Sequence, residues 1–321
     1  MSQTITEPIY NFGLSKHDRA KNLFSKIGVV GCGKEGHNIV TITASAGVDV
    51  VFVEPTDNDI QSAFDRIERT LNTKITNWGL TATEKKGVLS RIKGTTSYEE
   101  LADCDFVIEC IRYNDDTGIR STKERREVFK ELERVLSPTA LIASNASTVI
   151  ISELSAELEY KDRCLGIHFL VSQPDASIIE AVRGVYTSDE TFDKFTLFAS
   201  AIKHEVIEVR ETFGLVSLRL FYVILNDACQ MLMEGVATVE NIDKILSKGW
   251  GYRMGVFRSA DIIGIEKIVS LMEDMFNEYG DMKFKPSPVL MRLFRAKQFG
   301  IRTLRGFYVY DENWNIIGTN F

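Results

Sequence analysis

The sequence predicts an α/β protein, a mostly parallel sheet flanked by helices and followed by an all-α C-terminal part. Three observations predict it. A β–α–β pattern occupies residues 26–56. Short apolar runs then alternate with helical periods up to about residue 210. Beyond Glu211 the strand-like runs give way to long apolar helical segments. The 321 residues exceed the usual size of one domain, so two are expected. They divide as an extension (1–25), a sheet domain (26–210) and a helical domain (211–321).

The extension shows weak patterning. Then comes "KIGVVGCGKEGHNIVTITASAGVDVVFVEPTD", which holds a β-rich run, a glycine cluster, a helix and a second apolar run. "DFVIEC" (Asp105–Cys110) and "TALIAS" (Thr139–Ser144) are short runs suited to a parallel sheet buried on both faces. The helical period of "TKERREVFKELERVLS" lies between them. "CLGIHFL" and "ASIIEAVRG" read as two further strands, and "HEVIEVRET" as the one that closes the sheet. In the helical part, "FGLVSLRLFYVILNDACQMLMEGVA" is long enough to invite a membrane reading. It carries Arg219, Asn226, Asp227 and Gln230, which points instead to an interior or interface helix.

Composition excludes several function classes. A formal net charge of −7 argues against binding nucleic acid by phosphate neutralisation. The five cysteines, Cys32, Cys104, Cys110, Cys164 and Cys229, are scattered with no CxxC pair, as reduced and buried thiols would be. Four histidines without ligand-like spacing make a structural metal site unexpected. With polar, charged N-terminal residues and no apolar signal segment, a cytoplasmic protein is expected.

Gly31, Gly33 and Gly36 form G-x-G-x-x-G between a strand and a helix. In that position the glycines permit a tight turn, close approach of a pyrophosphate and close helix–strand packing. The helix N-terminus offers unpaired N–H groups to the phosphates. Glu54, eighteen residues past Gly36, ends the next strand, where a carboxylate accepts from ribose hydroxyls and repels a 2′-phosphate. No arginine follows in "PTDND". A Rossmann-type domain binding NAD is therefore expected, with Gly31, Gly33, Lys34, Glu35, Gly36 and Glu54 at the cofactor.

Oxidising an alcohol with such a cofactor needs a proton acceptor beside the hydride acceptor. His168 in "GIHF" and Glu180 in "IIEAVRG" are candidates, since a carboxylate orients an imidazole and stabilises it when protonated. Alone, each would read equally well as a hydrogen-bonded core residue.

The segments "GVVGCGKEG", "RIKGTTSYEELADCDFVIE", "ASNAS", "GIHF", "IIEAVRG", "EGVATVENIDK" and "KPSPVLMRLFRAKQFGIRTLRGFYVY" together resemble the 3-hydroxyacyl-CoA dehydrogenase family, which includes 3-hydroxybutyryl-CoA dehydrogenase. The resemblance runs from Lys26 to Tyr310. It implies a two-domain protein that dimerises through its helical part, uses NAD and takes a small-molecule substrate, an acyl-CoA thioester. It further implies that His168 is the catalytic base, Glu180 its carboxylate partner and Ser144 a hydroxyl at substrate and histidine. Arg125 stands for the family's lysine near the cofactor, and Arg302 keeps a basic residue at a late cofactor-facing position.

The chain departs from the family at several points. Val171 replaces an asparagine, Ser172 a proline, Leu218 an active-site asparagine and Tyr113 a common glutamate. About seven residues are inserted near 115–121. Three readings stay open at this level: an ordinary 3-hydroxyacyl-CoA dehydrogenase, a relative acting on another carrier or a free hydroxy acid, and a dimeric NAD-binding protein with little turnover.

Overall fold

The computed structural model describes residues 24–76, 79–111, 122–170 and 177–321. The chain divides into two compact units, one ending at Glu211 and the other running Thr212–Phe321.

The first unit is built on an eight-stranded sheet. Its strands are β1 (Lys26–Val30), β2 (Asp49–Val53), β3 (Ile92–Thr95), β4 (Phe106–Glu109), β5 (Leu141–Ser144), β6 (Cys164–Phe169), β7 (Ile178–Arg183) and β8 (Glu205–Arg210). Their order across the sheet is β3-β2-β1-β4-β5-β6-β7-β8. All neighbours are parallel except β6 and β7, which pair antiparallel.

All four residues of β4 and of β5 are buried, and in β1 and β2 only the first residue is not, which is why these strands are mostly apolar. Strand β8 is an edge. Its exposed Glu205, Glu208 and Arg210 place charge where an apolar edge would invite pairing with another chain.

Among the described residues the unit also holds the α-helices α1 (Gly36–Ser45), α2 (Asp57–Thr76), α3 (Ala82–Leu89), α4 (Thr122–Val135), α5 (Ile151–Ser155) and α6 (Asp189–Ala201). Helix α2 buries Ala63, Ile67 and Leu71, one residue per four, and starts with Asp57 and Asp59 against its positive end. Helix α3 begins with a capping box between Thr81 and Glu84. Helix α6, capped by Ser188, turns Phe192, Phe195 and Phe198 inward. Phe198 meets Phe106 edge to face at 5.1 Å. Each such fully buried phenylalanine contributes about 1.5–3 kcal/mol.

The second unit holds α7 (Leu215–Met233), α8 (Val239–Lys244), α9 (Val256–Ile263), α10 (Ile265–Tyr279) and α11 (Pro288–Arg295). Helix α7 is apolar and long enough to cross a membrane by length and composition. Its Tyr222, Leu225, Ala228 and Cys229 are buried in the unit's own core. A hairpin of β9 (Tyr308–Tyr310) and β10 (Ile316–Thr319) joins the helices.

Two buried carboxylates tie that hairpin down. Asp261 accepts from the Phe307 and Tyr308 N–H groups and the Tyr310 hydroxyl, each at 2.9 Å. Asp243 accepts from the Phe257 and Arg258 N–H groups at the start of α9 and from the Tyr308 hydroxyl at 2.9 Å. Sequence periodicity does not register the hairpin, whose strands are only 3 and 4 residues long and whose anchoring carboxylates lie 46 to 65 residues away.

All five cysteines are free thiols, and burial pushes each thiol pKa up. None is a ready thiolate nucleophile.

Candidate active site

Strand β1 lies between β2 and β4, so the chain leaves it in opposite directions and opens a crevice at its carboxyl end. Ligands of open α/β sheets bind at such a switch point. The glycine loop occupies it. Gly31 has φ +90°, and a Cβ there would stand 2.8 Å from the Cys110 carbonyl oxygen. A Cβ on Gly36 would stand 2.0 Å from the Gly31 oxygen. Only glycine lets the turn close that tightly under the start of α1. Lys34 is exposed, and Glu35 is the residue that precedes α1.

Glu54, at the end of β2, accepts from the Cys32 N–H at 2.6 Å through Oε1. Oε2 remains an acceptor of the kind a ribose hydroxyl needs. Burial raises the Glu54 pKa, against the Cys32 N–H and the Arg66 guanidinium, which lower it. Arg66, half-buried on α2, lies beyond the "PTDND" stretch on which the cofactor expectation rested. The closed turn, helix terminus and ribose-side carboxylate fit a dinucleotide.

Further along the same sheet edge, His168 and Glu180 face each other in direct register on β6 and β7. Residues paired in this way project to one face. Nδ1 of His168 lies 2.8 Å from Oε2 of Glu180. An ionised carboxylate only accepts, so Nδ1 carries the hydrogen and Nε2 is the basic nitrogen. The two side chains are 11% and 5% exposed, so the pair works in a shielded environment.

Ser144 ends β5. Its hydroxyl donates to Oε2 of Glu109 at 2.6 Å, within the sheet. Glu109 is fully buried at the end of β4 and also accepts from the Ile111 N–H at 2.7 Å and from the Arg125 guanidinium. Arg125 donates besides to the Ile111 carbonyl at 2.9 Å and is itself buried. Ser144 and Arg125 thus converge on Glu109, a residue the sequence reading passed over. Its signal was a carboxylate at the end of the otherwise apolar strand "DFVIE".

Asn145 was also passed over, although it lies within the quoted "ASNAS". Its side chain joins the Phe169 N–H at 3.1 Å to Oε2 of Glu35 at 2.9 Å. Arg302 belongs to the second unit, where it pairs with Glu266 at 2.9 Å. Leu218 packs against that unit's apolar core. Tyr113, Val171, Ser172 and the inserted stretch 115–121 lie outside the described residues.

Two family models cover these features. Residues 26–212 match the NAD binding domain of 3-hydroxyacyl-CoA dehydrogenase, and residues 214–310 match its C-terminal domain. The chain belongs to the 3-hydroxyacyl-CoA dehydrogenase family. Its cofactor is NAD. Among relatives in this family, 3-hydroxybutyryl-CoA dehydrogenase of Bradyrhizobium diazoefficiens is 32% identical over 288 residues, covering 90% of this chain and 96% of the relative. The enzyme of that name from Clostridioides difficile is 30% identical, covering 89% and 100%. Among solved structures, FadB2 of M. tuberculosis superposes with a TM-score of 0.84 at 31% identity, covering 90% of this chain and 99% of that one. The (S)-3-hydroxybutyryl-CoA dehydrogenase of Ralstonia eutropha gives 0.79 at 31% identity, covering 90% and 100%.

Proposed function

We propose that this member of the family interconverts a 3-hydroxyacyl-CoA and the corresponding 3-ketoacyl-CoA, with NAD as hydride carrier and a short acyl chain as in 3-hydroxybutyryl-CoA. The observation that carries the proposal is the His168–Glu180 contact of 2.8 Å on the sheet that also bears the glycine loop. NAD supplies hydride acceptance when bound. In oxidation Nε2 of His168 takes the 3-hydroxyl proton, and in reduction it returns that proton to the 3-keto oxygen. Glu180 holds the Nδ1 hydrogen and stabilises the imidazolium while the proton is there. The glycine loop and α1 receive the pyrophosphate, and Glu54 receives the adenosine ribose.

We assign Ser144 to holding Glu109, since its one hydroxyl hydrogen is already engaged there. Ser147, half-buried three residues on, is the better candidate for a hydroxyl at the substrate, because it makes no side-chain hydrogen bond among the described residues. Arg125 supports the same end of β4 through Glu109. Arg302 remains a candidate for the cofactor only if it leaves Glu266. A cytoplasmic homodimer fits this reading. Val216, Leu220 and Val223 are exposed on α7 at helical spacing and offer the helical unit an apolar face for a second copy.

NADH consumption with acetoacetyl-CoA tests the proposal, run beside His168→Ala. Turnover that vanishes in the variant supports it. Full turnover in the variant, or none in the parent protein that binds NADH, rejects it. Leu218 favours a second reading, in which the substrate is a different hydroxy acid, because leucine offers no hydrogen bond where the family places an asparagine. Turnover of a free 3-hydroxy acid in preference to the thioester would establish that reading instead.

A further inference from the structure

Strand β6 outruns its neighbour. The β5–β6 ladder pairs Ile142 with Cys164, Ala143 with Leu165 and Ser144 with Gly166, and there β5 ends. His168 lies two residues beyond the last rung. The Phe169 N–H, whose peptide begins at the His168 carbonyl, therefore needs another acceptor on that side. Asn145 supplies it.

The backbone of Asn145 is held by its N–H donating to the Glu109 carbonyl at 2.8 Å. Its side chain is buried, 5% exposed, and has both ends engaged. Oδ1 accepts from Phe169 N–H, and Nδ2 donates to Glu35 in the glycine loop. Glu35 occupies the N-cap position of α1 but makes no side-chain capping bond. Its carboxylate faces Asn145 across the end of β4, beside the helix terminus where a pyrophosphate would dock. A single planar amide thus connects the loop that receives the cofactor phosphates to the peptide that fixes His168.

We propose that Asn145 is a positioning residue that couples dinucleotide binding at the glycine loop to the placement of His168. This rests on the dehydrogenase reading for its catalytic consequence, not for the coupling itself. Phosphate held by the loop N–H groups fixes the turn that carries Glu35, and with it the acceptor for Asn145 Nδ2. The Asn145 amide transmits that constraint to Phe169 and hence to the histidine. Such coupling is reciprocal: a change at Phe169 alters cofactor affinity by the same factor as cofactor alters Phe169.

The test uses full-length protein and the variants Glu35→Ala, Glu35→Gln, Asn145→Ala and Glu35→Ala/Asn145→Ala. Hydrogen exchange at Phe169 is measured with and without NADH, and kcat and KM with acetoacetyl-CoA. The expectation is that NADH slows exchange at Phe169 in the parent protein and that Glu35→Ala loses this effect. Glu35→Gln, whose amide oxygen still accepts from Asn145, recovers most of it. Both alanine variants lower kcat about tenfold, one charge-assisted hydrogen bond's worth, with a smaller change in KM for NADH, and the double variant falls no further. The coupling is overturned by any of three results. NADH leaves Phe169 unaffected in the parent, Glu35→Gln loses as much as Glu35→Ala, or the two losses multiply. Should Asn145→Ala not fold, the Glu35 pair decides alone. A parent protein that fails to reduce acetoacetyl-CoA counts against the dehydrogenase reading only, and the exchange measurements still decide the coupling.

Discussion

Replacing Glu180 by glutamine removes one charge and leaves shape nearly unchanged. The lost interaction is that between a carboxylate and an imidazolium whose contacting atoms are 2.8 Å apart. Two unit charges about 4 Å apart attract by about 4 kcal/mol at an effective dielectric of about 20. If half of that is realised when the proton is partly transferred, the barrier rises by about 2 kcal/mol, roughly 30-fold in rate. Full realisation gives roughly a thousandfold. A glutamine that turns its NH₂ toward Nδ1 also favours the opposite tautomer, which pushes the effect to the upper end. The assay is kcat for acetoacetyl-CoA reduction, followed by NADH loss, with NADH affinity and thermal unfolding measured on the same preparation. The expected pattern is a kcat lowered by about 30- to 1,000-fold with NADH affinity near that of the parent. A kcat within about threefold of the parent in a folded variant would refute the role given to Glu180.

Four further outcomes follow from the geometry. Gly36→Ala places a Cβ 2.0 Å from the Gly31 oxygen, so NADH no longer raises the melting temperature of the variant, whereas it does so for the parent. Ser147→Ala lowers kcat more than it lowers stability, while Ser144→Ala, which strands part of a buried carboxylate, costs about 1–3 kcal/mol in denaturant unfolding. The proposed homodimer predicts that Leu220→Asp on α7 lowers the mass seen by light scattering from dimer to monomer, and an unchanged mass or a monomeric parent removes that face from consideration. Asp261 governs a pH dependence of the second unit. Burial pushes its carboxyl up to about 6 against the Phe307, Tyr308 and Tyr310 donors, so the folded state holds the proton more tightly than the unfolded chain. Its contribution to stability is present below about pH 4 and is lost as pH rises through about 6. Asp243, also raised by burial, acts in the same sense. Chemical unfolding of Asp261→Asn between those values shows a weaker fall in stability than the parent, and an identical slope rejects the assignment.

The family, the cofactor and most strands of the sheet unit were legible in the sequence because each is a local matter. Buried parallel strands must be mostly apolar, as the "FVI" of β4 and the "LIA" of β5 are. A turn under a helix must be glycine, as Gly31 and Gly36 are, and a ribose-side carboxylate must end the next strand, as Glu54 does. Those requirements act within a few neighbouring residues, and periodicity and residue type report them directly.

What the tertiary structure decided depends on register between strands distant in sequence. His168 and Glu180, twelve residues apart, become partners because β6 and β7 are antiparallel and in register at that pair. The engagement of Ser144 and Arg125 with Glu109 joins residues 16 and 35 apart, and that of Asn145 with Glu35 spans 110. A hydroxyl, an amide or a guanidinium in the sequence is only a capacity to donate. Which acceptor lies within about 3 Å is fixed by packing of the whole sheet, and that distance alone separates a residue facing substrate from one that holds the site in place.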